Sequence, residues 1–119
     1  MSLDPCQPDL VIKSEVILKV ENLTSRSDKG VVAVKDVSLD IREGEIFGIA
    51  GVSGNGQQEL ADTLAGLRKP EAGRVFLDGN DITGASTLAR WKMGLGYIPC
   101  ERVDVGSIGD FTLVENVAM

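Results

Sequence analysis

The chain has 119 residues, 43% of them hydrophobic, and twelve Lys and Arg against eighteen Asp and Glu give it a net charge of −6. That length allows one domain or part of one, and the acidic balance excludes nucleic acid or an anionic membrane surface as a partner held by bulk electrostatics. The sequence has no His, which excludes His-based acid–base chemistry and His metal ligands.

In chain order, the opening Met-Ser-Leu-Asp-Pro-Cys-Gln-Pro-Asp lacks the basic start and apolar middle of a secretory signal. Pro5 and Pro8 keep it extended, and residues 1–14 are expected to be a linker or an expression remnant. Cys6 and Cys100 stand far apart without paired spacing, so neither a disulfide framework nor a zinc site is expected and a reduced cytosolic setting is the default. Residues 16–20 form a β-rich run, 22–30 a polar turn region, and 31–41 a second strand in which Val37, Leu39 and Ile41 alternate with Ser38, Asp40 and Arg42. Two strands about a polar loop predict an antiparallel hairpin with one wet face. Glu43-Gly44 then turns the chain into residues 46–50, whose unbroken apolar run predicts a strand buried in a parallel sheet.

Residues 51–58, Gly-Val-Ser-Gly-Asn-Gly-Gln-Gln, follow that strand and lead into a helix with Leu60, Ala61, Leu64 and Ala65 at helical spacing. Gly51, Gly54 and Gly56 bring backbone N–H groups close to a ligand with no Cβ in the way, and the helix turns its positive end to the same spot. The Gly51-to-Gly56 spacing is that of a phosphate loop, after which Lys and then Ser or Thr are expected. Gln57 and Gln58 stand there instead, so the backbone half of a nucleotide site is present and its charged half is not. Gly66 caps the helix, with Pro70 beyond it. Residues 74–78 predict a strand turned by Asp78-Gly79-Asn80-Asp81, and 86–93 a short helix whose Trp91 and Met93 pack against the body. Residues 95–98 predict a second apolar strand, including Tyr97, ended by Pro99. Asp78, Asp81 and Asp110 are read as turn residues rather than metal ligands, and Glu101 and Arg102 as a solvated pair. Thr112-Leu-Val-Glu115 is a capping box at a helix start. No internal repeat is present. The apolar runs are too short to span a bilayer.

The hairpin, the Ile-Ala-Gly-Val-Ser-Gly-Asn-Gly-Gln-Gln-Glu-Leu loop, the Gly73-Arg-Val-Phe-Leu-Asp-Gly-Asn-Asp-Ile strand and turn, and Gly96-Tyr-Ile-Pro together resemble the N-terminal part of an ABC transporter ATP-binding cassette. The resemblance covers nearly all of residues 16–119. The Gly-Asn-Gly-Gln-Gln loop and Tyr-Ile-Pro-x-x-Arg resemble, more narrowly, the second cassette of the ATPase subunits of bacterial simple-sugar and nucleoside importers. It implies a mixed α/β fold: an antiparallel hairpin layer beside the start of a parallel P-loop sheet, with residues 15–119 the N-terminal part of an ABC ATP-binding domain.

The same resemblance implies ATP and Mg²⁺ as cofactors. Gly51, Ser53, Gly54, Asn55, Gly56, Gln57 and Gln58 become the phosphate-binding residues, with Gln58 at the metal-binding position. It places Cys100 at the glutamine-loop position, and finds no adenine-stacking aromatic in 24–32, only Arg26, Val31 and Val32. No catalytic residue is assigned. The implied partners are a second cassette, head to tail, and an integral membrane permease, at the cytoplasmic face of the plasma (inner) membrane; an uncovered sheet edge adds self-association. A Lys on the β- and γ-phosphates contributes about 1.5–3 kcal/mol and a neutral Gln about half of that. Two readings stay open: a nucleotide-binding segment with a degenerate loop, and a scaffold module that binds no nucleotide.

Overall fold

A computed structural model describes residues 14–101 and 103–118. Strands β1 (Val16–Arg26) and β2 (Val32–Arg42) form the hairpin, and helix α1 (Gln57–Ala65) follows the glycine-rich turn. Strands β3 (Ala72–Leu77) and β4 (Asn80–Asp81) and helices α2 (Thr87–Lys92) and α3 (Leu113–Ala118) complete the order. The strands make one sheet in the order β2-β1-β3-β4, antiparallel throughout. α1 lies across it, and Leu60 joins Val20, Leu23, Val34, Val75, Leu77 and Ile82 in a single core that Leu64 borders. The fold is mixed α/β, as expected.

Strand β1 keeps one face on that core by a bulge. Val20, Leu23 and Ser25 are all buried, a spacing of three and then two, although strand side chains alternate with period two. The extra residue is Asn22, at φ 47, where the ladder with β2 slips between Val20 and Leu23. Asn takes this left-handed conformation more readily than most residues, and one extra residue per bulge returns the next side chain to the same face. Its backbone N–H donates to Ser38 Oγ at 2.9 Å and its Nδ2 to Asp36 Oδ1 at 2.8 Å. Across the sheet only glycine fits opposite: a Cβ on Gly73 would sit 2.5 Å from the carbonyl oxygens of Glu21 and Asn22. The polar stretch 22–30 is therefore not a turn in full. β1 continues to Arg26, and the turn is confined to 27–30, closed by Gly30 N–H on the Ser27 carbonyl at 2.9 Å.

Three further expectations are corrected. Residues 46–50 and 95–98 are not strands: they run without ladder pairing, and Ile46 and Ile98 are 89% and 93% exposed. A parallel strand exists only between neighbours, and among the described residues neither segment has one. On α2, Trp91 and Met93 face solvent, and the buried residue is Arg90. Its guanidinium donates to the carbonyls of Thr63 (2.8 Å), Leu64 (2.7 Å), Thr83 (3.0 Å) and Ala85 (3.1 Å), closing the C-terminal end of α1 where the helix dipole favours a cation. Burial pulls the Arg90 pKa below its ordinary value, without discharging it at neutral pH. Tyr97, finally, is not simply strand packing, because its hydroxyl is hydrogen-bonded beside the loop.

The helix boundaries agree with the sequence. α1 stops at Gly66, at φ 85, which donates to the carbonyls at the end of the helix. α2 starts at Ser86, whose hydroxyl accepts from Ala89 N–H at 3.2 Å. The capping box forms: Thr112 N–H donates to Glu115 Oε2 at 2.8 Å and Glu115 N–H to Thr112 Oγ1 at 3.3 Å. Asp78 and Asp110 lie in turns as expected, but Asp81 ends β4, paired with Phe76, and accepts from the Thr83 hydroxyl at 2.6 Å and N–H at 2.9 Å, which holds its carboxyl below the usual range. Residues 1–13, with Cys6 and all of the expected 1–14 linker but Ser14, and Arg102 with its expected pairing to Glu101, lie outside the described residues.

Candidate functional site

The glycine-rich turn and the first turn of α1 make a concave backbone surface against β2. Gly56, at φ 97, ends the loop and caps the helix without any side-chain hydrogen bond. A Cβ there would lie 2.3 Å from the Ala33 carbonyl oxygen, so the loop packs on the hairpin only as glycine. Leu60 N–H makes the first intrahelical bond, to Gly56 O at 2.9 Å. The N–H groups of Gln57, Gln58 and Glu59 precede it and have no protein acceptor among the described residues. Three donors at the positive end of a nine-residue helix form an anion cradle.

The two glutamines behave differently. Gln57 folds back over Gly51: a Cβ on Gly51 would be 2.2 Å from Gln57 Nε2, which donates to the Val52 carbonyl at 3.3 Å. Its amide is thus a neutral donor held at the Gly51–Val52 end of the loop. Gln58 points to the other side. Its Nε2 donates to Asp62 Oδ1 at 2.8 Å and to Tyr97 Oη at 2.9 Å, Tyr97 Oη donates to the same Asp62 oxygen at 2.8 Å, and Cys100 Sγ donates to Gln58 Oε1 at 2.7 Å. Desolvation, and then the hydrogen bond to Asp62, raise the Tyr97 pKa above its ordinary value. Ser53 and Asn55 sit at the exposed loop tip, where Asn55 N–H donates to the Val52 carbonyl at 3.3 Å.

Every residue expected in the loop is thus brought together, and Cys100 reaches it too. Asp62, Tyr97 and two lysines were not expected. Lys35 lines a groove of about 550 Å³ with Gly51, Asn55 and Gln57, and Lys29 a groove of about 570 Å³ with Gly54, Asn55 and Glu59. The Gln58–Asp62 pair was readable as an i, i+4 helix pair; the lysines, on a separate element, were not. On the hairpin, Arg26 is engaged with Glu71 and the Gly30 carbonyl, which leaves exposed Val31 and Val32 as the apolar surface beside the second groove.

The donor set suits an anion better than Mg²⁺. An anion placed there would meet three backbone N–H groups without protein acceptors and, on displacing the Val52 carbonyl, the Gln57 amide. Mg²⁺ at a nucleotide takes most of its octahedral oxygens from phosphates and waters and one or two from the protein, and the Gln58 oxygen, the protein ligand expected here, already accepts from a thiol. Among the described residues no three of His, Cys, Asp and Glu come together as a metal group.

The family described as ABC transporter matches residues 34–116, from the second hairpin strand through the loop to α3. The chain belongs to the ABC transporter family. It is 43% identical over 109 residues to the glucose import ATP-binding protein of Haloferax volcanii, covering 92% of this chain and 20% of that protein. It is 38% identical over 103 residues to the guanosine import ATP-binding protein of Bacillus subtilis, covering 87% and 20%. The chain therefore spans about a fifth of the length of these relatives.

Among solved structures it resembles an ATP-binding cassette of an ABC transporter in its ADP conformation, with a TM-score of 0.63 and 27% identity over 68% of this chain and 32% of that one. It also resembles a bacterial Atm1-family ABC exporter with ATP bound, with a TM-score of 0.65 and 25% identity over 87% of this chain and 18% of that one. In this ABC transporter segment the loop leads from the hairpin layer into α1. Among the described residues, no helix is long and apolar enough to cross a membrane.

Proposed function

We propose that residues 51–58 are the phosphate loop of an ABC ATP-binding domain, of which 15–119 form the N-terminal part. In this reading the protein binds ATP as part of an ATPase that energises import of a simple sugar or nucleoside. The observation that carries it is the uncapped start of α1, where Gln57, Gln58 and Glu59 N–H groups converge without protein acceptors. Gly51, Gly54 and Gly56 let the triphosphate approach the backbone, Ser53 and Asn55 border it, and Gln57 supplies an uncharged donor in place of the family's Lys. The import ATP-binding proteins among the relatives support the transported class. The partners in this reading are a second cassette docked head to tail and a membrane permease, with the protein peripheral on the cytoplasmic face of the plasma (inner) membrane. Strand β2, an outer strand of the sheet, offers an edge for self-association.

One observation favours a second reading, a scaffold module that binds no nucleotide: the Gln57 amide already donates to Val52 within the loop. Calorimetric titration of ATP into the intact protein and into Gln57→Lys separates the two. Restoring the charge adds about 1 kcal/mol, so Gln57→Lys should bind about fivefold more tightly than a wild type that itself binds. Binding by the variant alone would replace the nucleotide reading with the scaffold one.

A further inference from the structure

Gln58, Asp62, Tyr97 and Cys100 form a closed set of hydrogen bonds that decides which way one amide faces. The Gln58 NH₂ has two hydrogens, and two acceptors meet them: Asp62 Oδ1 at 2.8 Å and Tyr97 Oη at 2.9 Å. The Tyr97 hydroxyl spends its own hydrogen on Asp62, so the oxygen it turns to Gln58 is an acceptor. A flipped amide would aim its oxygen at a carboxylate oxygen and at a phenol lone pair, and would lose both donors. The amide oxygen is therefore held away from Asp62 and toward Cys100, whose thiol donates to it at 2.7 Å. A hard divalent cation at this oxygen would meet one neutral ligand already accepting a hydrogen bond and, beside it, a soft sulfur that such cations disfavour. The phosphate cradle is made of backbone N–H groups and does not use this oxygen.

We propose that Asp62 and Tyr97 are positioning residues that lock the Gln58 oxygen onto Cys100, so that this loop takes a nucleotide triphosphate without a magnesium ion. The inference rests on the nucleotide reading above and adds the metal independence to it. Asp62 supplies the charge that orients the amide. Tyr97, reaching from 39 residues downstream, fixes the second hydrogen and ties the loop to the segment that carries Cys100.

Two measurements on the intact protein test it. The first uses no nucleotide: hydrogen exchange of the Gln58 side-chain NH₂ by NMR should be about tenfold slower than in a free glutamine, and Tyr97→Phe and Asp62→Asn should each return most of that difference. Free-like exchange in the wild type, or no change in either variant, overturns the lock. The second is ATP titration in EDTA and in millimolar MgCl₂. The two dissociation constants should agree within about twofold, whereas Gln58→Ser with Cys100→Gln should bind about tenfold more tightly with Mg²⁺ than without. A wild type that needs Mg²⁺ to bind overturns the proposal while leaving the nucleotide reading intact. Failure to bind ATP in either buffer, with the Gln58 amide still protected, overturns the nucleotide reading and the metal-free binding built on it.

Discussion

Replacing Arg90 should destabilise this fold more than replacing any exposed apolar residue of α2. Arg90 is 2% exposed and its four donor contacts reach two carbonyls of the last turn of α1 and two of the loop before α2. A hydrogen bond from a charged donor contributes about 1.5–3 kcal/mol, and a buried carbonyl left without a partner loses about 1–3 kcal/mol. Burying the cation offsets part of this, and water reaching the emptied space would rescue some carbonyls, so the four contacts do not simply add. Arg90→Met, which keeps the side-chain stem, should lower stability by about 3 kcal/mol, a fall in Tm of about 10–15 °C in a domain of this size. Arg90→Lys keeps the charge at the helix C-terminus but offers one point in place of a planar fork. If the fork is what matters, Lys should recover less than about 1 kcal/mol, the size of a helix-dipole interaction. Urea unfolding followed by Trp91 fluorescence, next to the substitution, reads both variants. An Arg90→Met midpoint within about 1 kcal/mol of wild type would refute the assignment of Arg90 as the bolt between α1 and α2.

Two further outcomes follow from local geometry. Gly56→Ala meets both a positive φ of 97 and the Ala33 carbonyl at 2.3 Å, whereas Gly54→Ala meets only a φ of 88 with nothing within 4 Å. Gly54→Ala should therefore lose about 1–2 kcal/mol and Gly56→Ala clearly more, read as a difference in urea midpoint, and equal losses would contradict the packing of loop on hairpin. At the start of α3, the Thr112 N–H and then its hydroxyl hold the Glu115 carboxyl below its ordinary value. A depressed folded pKa means the cap is fully present above the unfolded value and is lost as pH falls through the folded one. Protection of the Thr112 amide, its exchange rate taken relative to the intrinsic rate at each pH, should fall on acidification through that window, and Glu115→Gln should flatten the response; a protection profile unchanged by Glu115→Gln would show the cap contributes nothing.

The features legible in the sequence are those set by local chemistry. Gly56 and Gly66 bracket α1, Ser86 starts α2, and Thr112 with Glu115 caps α3, each because a few adjacent residues satisfy the free ends of a helix. The loop was legible for the same reason. What misled was chemistry decided at a distance. Asn22 looks like turn sequence, yet it bulges a strand because Gly73 and Asp36, far along the chain, make room and a partner for it. Trp91 looks like core and Arg90 like surface, but the unmet carbonyls of α1 draw the guanidinium inward. Residues 46–50 and 95–98 have strand composition without strand neighbours, and composition cannot supply a ladder. In the site, Gln58 reads as a lost hydroxyl, and only the fold reveals that Tyr97 and Cys100 close around it.

The central claim is that the backbone at the start of α1 holds the phosphates of a nucleotide. Amide chemical-shift mapping of the intact protein, titrated with ATP, inorganic triphosphate and adenosine, tests it residue by residue. The account predicts saturable shifts at the N–H groups of Gly56, Gln57, Gln58 and Glu59 with ATP and with triphosphate, and none there with adenosine. Shifts confined to other surfaces, or an unmoved loop at saturating ATP, would contradict it.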